Sequence, residues 1–310
     1  MLSRLPGILS FALSVLLISL GCASVKKPVP NIAVIPGISD QYRIGQIIDL
    51  SSGEAIPFEQ LIENIASVDL IFVGEVHDNP DHHLIQVQIL QAFIAEERPV
   101  TLAMEFFQKP VQPILDRYIQ GEIGEEAFLK EVDWKKQWGF PYSYYRPLML
   151  LAKQNGSKVL AINAPSDIVK KVAYDGLESL DQSEHDQIAS EIGLDNEAHR
   201  EYLREIYRQH SHGTLKAFEY FYEAQCVWED TMAQNIADYL IKEDGKMIVF
   251  TGNGHIVNKF GIPDRVINRK PVSMVTIMPY DLYGTETIEK GTADYIWLTP
   301  SYPHRFMSSL

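Results

Sequence analysis

The chain has 310 residues, 46% of them hydrophobic and 22% charged, an ordinary globular composition that allows one large domain or one domain with a sizeable insertion. Its 27 basic residues stand against 41 acidic ones, a formal charge of −14, which argues against nucleic acid as a partner and against electrostatic docking on anionic lipid.

The first 21 residues read as an export signal. Arg4 is the only charge ahead of an apolar run, Leu5 to Leu20, which ends in Gly21-Cys22. The run is too short for a stable membrane span. A cysteine after a small residue resembles a bacterial lipoprotein signal, in which Cys22 is lipidated and becomes the mature N-terminus; a plain secretory signal is the other reading. Cleavage removes Arg4 and leaves 26 of the 27 basic residues, near −15, so an acyl chain rather than charge would hold the protein at a membrane. Ala23 and Ser24 follow without the aspartate associated with inner-membrane retention, which favours the outer membrane. Once Cys22 is lipidated, Cys226 has no partner for an intramolecular disulfide.

Residues 22–41, with Pro28, Pro30, Pro36 and Gly37, read as a tether, and the domain is expected over 42–310. A short strand is predicted near Gly45 to Asp49 and a helix over Phe58 to Ile65. Four later segments share one design, an apolar run that stops at polar residues: Asp69 to Glu75, Val100 to Glu105, Lys158 to Asn163 and Met247 to His255. A fifth, Pro271 to Met278, ends at Pro279. Such runs separated by helical patterns predict an α/β fold with a mostly parallel sheet flanked by helices. Ligands of such sheets bind beyond the carboxyl ends of the strands. That edge would receive Glu75 and His77, Glu105, Asn163, and Asn253 with His255.

Asn79-Pro80 predicts the start of a helix, with Asn79 as its cap. Val87, Ile89, Leu90, Phe93 and Ile94 would face the sheet. His83 would point toward the same edge, and His82 toward solvent. Two insertions, about 106–157 and 166–245, are expected to build a helical cap. Within the second, Phe218, Phe221, Gln225, Trp228 and Met232 recur at helical spacing, as a face packed on the core or as a wall for a flat ligand. His210 and His212 fall near a helix end, where the dipole alone favours histidine. His185 and His199 lie on charged stretches and are expected at the surface, and Glu125 to Glu131 reads as a solvated helix face.

Glu75, His77, Glu105 and His255 form a set of two histidines and two carboxylates from three segments. Such a set can hold a divalent transition metal, or can act without one, a glutamate as base toward water and a histidine as acid. Gly252-Asn253-Gly254-His255 lacks the lysine and spacing of a phosphate loop. No Gly-x-Ser-x-Gly elbow and no paired-cysteine zinc pattern occurs.

VGEVHDN, AMEFF, YRPL, FYEAQCVWEDTMA, GNGHI and ADYIWLTP, in order from Tyr42 to Pro300, resemble the ChaN-like haem-binding lipoproteins of bacterial iron uptake. The wider superfamily includes the erythromycin esterases and the TIKI/TraB proteins. There a Gly-x-x-His histidine and a glutamate on a following strand serve hydrolysis, in some cases with metal; the matching residues are Gly74, His77 and Glu105, with a second Gly-x-x-His at Gly252 to His255. The resemblance implies a lipid anchor, haem held between two protomers, an iron ligand from tyrosine assisted by histidine, and an outer-membrane haem receptor as a possible partner. Tyr145, beside Arg146 and close to Tyr142 and Tyr144, is one candidate ligand, and Tyr207 is the other, with His212 or His83 assisting. A haem-binding module and a hydrolase, metal-dependent in some relatives, therefore compete.

Overall fold

The computed structural model describes residues 31–210, 217–243 and 245–302. In chain order the elements are β1 (Ile32–Val34), β2 (Gln41–Arg43), β3 (Ile47–Asp49), β4 (Glu54–Ile56), α1 (Phe58–Ile65), β5 (Leu70–Val73), α2 (Pro80–Ala95) and β6 (Val100–Gln108). Then come α3 (Gln112–Ile119), α4 (Glu125–Glu131), α5 (Trp134–Gln137), α6 (Tyr142–Asn155), β7 (Val159–Asn163), α7 (Ser166–Asp175), α8 (Gln182–His185), α9 (Glu197–His210) and α10 (Phe218–Lys242). The chain continues with β8 (Lys246–Phe250), α11 (Ile262–Arg269), β9 (Met274–Leu282), β10 (Thr285–Thr287) and β11 (Tyr295–Pro300).

The main sheet has eight strands in the order β4-β3-β11-β9-β5-β8-β6-β7. The six strands from β11 to β7 are mutually parallel, and β3 adds antiparallel at one edge. Alternation along each strand feeds two cores. Ile71, Val73, Leu102, Met104, Ile248 and Phe250 pack on one face, with Leu90 and Phe93 of α2 and Leu148 and Met149 of α6. Leu70, Phe72, Ala103, Met247 and Val249 pack on the other, under Met232 and Ile236 of α10 and Ile262 and Val266 of α11. Both faces are covered, which is why the strands read as continuous apolar runs.

The insertions furnish flanking layers on both sheet faces, and Trp138 and Phe140 of the first one reach over the carboxyl edge to His77. Asn79 caps α2 as predicted, its Oδ1 accepting from the Asp81 amide at 2.9 Å. The tether ends earlier than the sequence suggests. Ile32–Val34 pairs with β2 and β10 in a small second sheet, and Ala33 and Ile35 are buried against Leu282 and Ile296. Prolines and a glycine around this short strand masked it. The run ending at Pro279 also continues, to Leu282. Proline lacks an amide hydrogen, but β5 stops pairing with β9 at Ile277, so no donor is missed on that side. No helix among the described residues is long and apolar enough to cross a membrane.

Candidate functional site at the carboxyl edge

Four strand ends deliver the predicted side chains to one edge. Glu75 follows β5 and is 1% exposed. Its Oε1 meets His77 Nδ1 at 2.6 Å and accepts from the Tyr145 hydroxyl at 3.1 Å, and its Oε2 lies 3.0 Å from His83 Nδ1. Burial works against its charge, but His83 and His77 outweigh it and hold the carboxyl far below the usual carboxylate range. The His77 ring remains 30% exposed, flanked by Trp138 and Phe140, each with its ring centroid 4.9 Å away. Desolvation opposes its protonation, yet the bond to Glu75 and the charges of Glu75 and Glu105 raise its pKa above that of a free histidine.

A second unit lies beside the first. Glu105 ends the regular part of β6 and accepts through Oε2 from the Thr251 hydroxyl at 2.6 Å and the Gly252 amide at 2.7 Å. Its Oε1 stands 3.4 Å from His255 Nε2, and His255 Nδ1 lies 3.2 Å from Glu229 Oε1. Burial penalises both charges, but each offsets the penalty for the other. The carboxyl of Glu105 falls to about 2, and the imidazole of His255, between two carboxylates, rises to about 10. Gly252 separates the units. A β-carbon there would sit 3.1 Å from His77 Cε1 and 3.7 Å from Glu105 Oε2, so glycine lets the two approach. Gly74 is equally constrained, because a β-carbon would collide with Asn253 Oδ1.

Glu75, His77, Glu105 and His255 thus share the edge as two hydrogen-bonded carboxylate–imidazole units. Among the described residues no three His, Cys, Asp or Glu side chains could hold a metal ion together. The reason lies in the donors: Glu75 and Glu105 turn their oxygens toward protein hydrogen-bond donors and imidazoles. Asn163 serves the same edge as a scaffold. Its amide donates to the Glu105 carbonyl at 2.8 Å, and its Oδ1 accepts from Trp228 Nε1.

Other expected residues lie elsewhere than predicted. His82 is fully buried rather than solvated, taking the Val76 amide at 2.8 Å on Nδ1 and facing Asp281 at 2.9 Å from Nε2. His199 is buried too, 3.5 Å from Glu229 Oε2, because α9 packs against α10 and turns that ring inward. His83 stacks on Tyr144 at 4.8 Å. Tyr145 is fully enclosed by Phe106, Trp134, Trp138 and His83, and burial and the Glu75 charge raise its pKa well above 10. So placed, it has no open face for a ligand. Tyr207 is half-buried on α9, with ring centroids 5.7 Å from Phe218 and 5.5 Å from Phe221. Cys22 and His212 lie outside the described residues, as does the side chain of His210.

Sequence reasoning missed Glu229 and its neighbour Asp230, which is bonded to Arg269 at 2.7 Å and paired with Arg265. Two adjacent acids inside the helical run Val227 to Met232, whose other members are uncharged, were the available signal.

Several known proteins are similar to this chain. The solved structure of ChaN of Campylobacter jejuni with cofacial haem covers 81% of this chain and 95% of its own, at 21% identity and a TM-score of 0.65. An erythromycin esterase in its open conformation covers 77% of this chain and 76% of its own, with 11% identity and a TM-score of 0.45. The RETICULATA-RELATED 5 chloroplastic protein of Arabidopsis thaliana is 22% identical over 267 residues. That alignment takes in 78% of this chain, which spans only 35% of the relative's length. Residues 61–266 match the model described as haem-binding uptake, Tiki superfamily, ChaN, and the chain belongs to that family.

Proposed function

We propose that the protein binds haem on the α9–α10 surface, with Tyr207 as iron ligand. Haem is a flat apolar disc with two carboxylates, so it needs apolar walls, an iron ligand and cations. The observation that carries the reading is the grouping of Tyr207, Phe218 and Phe221 with Arg204, whose guanidinium stands 4.3 Å over the Phe218 ring. Arg200 adds a second cation, 4.5 Å over Tyr222. Tyrosine is a known axial ligand of haem iron. Tyr145, enclosed and bonded to Glu75, is left out of this assignment. The Campylobacter relative binds haem cofacially, and here a second copy of this chain would cover the outer side of the disc. Haemin titration of the purified protein is expected to saturate with a high-spin ferric spectrum. Tyr207→Phe should abolish that spectrum and weaken binding about tenfold or more, a change of about 1.4 kcal/mol, while Tyr145→Phe keeps it. A spectrum unchanged in Tyr207→Phe removes Tyr207 as the ligand. A titration without an end point, matching an unrelated acidic protein, removes haem binding.

One observation favours a second activity. Glu75 holds His77 by a 2.6 Å bond, and the ring is partly open between Trp138 and Phe140. A carboxylate that orients an exposed imidazole can support metal-free hydrolysis, with His77 moving a proton to or from water. A screen of ester, lactone and peptide substrates should then show turnover that His77→Ala eliminates. Rates equal to the His77→Ala background would leave the network a structural one.

A further inference from the structure

A cavity of about 510 Å³ opens beside the loop after β8, against β9 and the β9–β10 turn. Its size is that of ordinary small-ligand pockets. Tyr202, Tyr280 and Tyr283 supply its rings, and Asp281, Glu286 and Glu289 its charges; none of its lining residues is Lys, Arg or His. On α9, Arg200 and Arg204 stand over rings and pair with Glu219 and Glu201, whereas this cavity offers carboxylates and no cation. Two haem propionates would meet three carboxylates.

The carboxylates differ in how far they are committed. Asp281 Oδ1 is held by Asn79 Nδ2 at 2.6 Å and faces His82 at 2.9 Å, which anchors the side chain and directs Oδ2 toward the Tyr283 hydroxyl at 3.4 Å. Glu286 and Glu289 make no ion pair among the described residues. Burial, then Glu286 and Asp281, raise the pKa of Tyr280, and burial with Asp281 does the same for Tyr283, so the phenols stay neutral and their ring faces stay electron-rich. Aromatic faces backed by carboxylates attract cations, and attract them more strongly when the cation carries little water of its own.

We propose that this cavity is a binding site for an organic cation, a protonated or quaternary amine on an apolar body, separate from the haem surface. Calorimetric titration of the full chain with benzyltrimethylammonium tests it, with benzyl alcohol and benzenesulfonate as neutral and anionic counterparts. Saturable binding of the cation alone is expected, weakening as salt is raised. Glu286→Gln and Tyr283→Ala should each weaken it about fivefold or more. Tyr283 is 57% exposed, so its truncation leaves the core intact. Binding of benzyl alcohol as tight as that of the cation, or an affinity unchanged in both variants, overturns the proposal. Loss of haem binding in Glu286→Gln would overturn it as well, by making the cavity part of the haem site.

Discussion

His255 shows how much of this site is electrostatic. It stands between Glu105 and Glu229, both buried, and its charge is held by theirs. The sign of the pH dependence follows. Glu105, lowered from 4.5 to about 2, adds stability that is complete above about 4.5 and is lost as pH falls toward 2. His255, raised from 6.5 to about 10, adds stability that is complete below about 6.5 and is lost as pH rises through 10. The urea midpoint should therefore be highest between about pH 4.5 and 6.5, with decline on both sides. His255→Ala leaves two buried carboxylates without their imidazole and should cost about 3–5 kcal/mol, because an unpaired buried charge keeps its full desolvation penalty. The alkaline limb should flatten in that variant. A midpoint that stays level from pH 6 to pH 10 in the wild type (roughly the span between the two His255 values) would rule the coupling out.

At the scale of elements, the loop from β8 to α11 holds the second unit in place by close approach. A β-carbon on Gly261 would overlap the His255 carbonyl oxygen and stand 2.8 Å from Glu229 Oε1. Gly261→Ala should accordingly destabilise by about 1–3 kcal/mol, lowering Tm by about 2–4 °C for each kcal/mol in a chain of this size. A calorimetric Tm equal to the wild type's would show that the loop yields freely. The long helix α10 likewise serves several surfaces along its length. Phe218 and Phe221 meet Tyr207 on α9, Trp228 lies edge-on to His255 with ring centroids 5.4 Å apart, and Met232 enters the second core. One helical stripe of apolar residues thus meets α9 at one end and packs in the core at the other.

For the whole molecule, location and assembly are the open proposals. We propose that Cys22 carries the lipid that anchors the protein in the outer membrane, since a chain at −14 gains nothing from anionic lipid. Wild type should partition into detergent and sediment with membranes, and Cys22→Ser should be released or remain as unprocessed precursor. Membrane retention of the serine variant with normal processing contradicts the anchor. Haem sandwiched between two copies predicts that sedimentation velocity resolves a dimer with haemin and a smaller species without it; one species under both conditions excludes the sandwich.

By itself, the sequence determined the sheet and the edge at which its polar groups emerge. Apolar runs such as Leu70 to Val73 record burial on both faces, and each ends in the residues the site uses, because chain direction alone sets which end of a parallel strand is the carboxyl end. Asn79-Pro80 announced α2 for an equally local reason, a cap bond spanning two residues. Partnership across the fold was decided only by the tertiary structure. His82 looks solvated beside Asp81, yet it is buried because Thr299 and Asp281, some 200 residues later, meet its ring. Tyr145 carries every local sign of an iron ligand, but Phe106, Trp134 and Trp138 close around it and its hydroxyl turns to Glu75. Glu229 sits in a helical run whose spacing says only that one face is covered, and its pairing with His255 depends on how α10 crosses the loop after β8. Burial periodicity is written locally along a chain, whereas hydrogen bonds between distant segments depend on where the packed core places them.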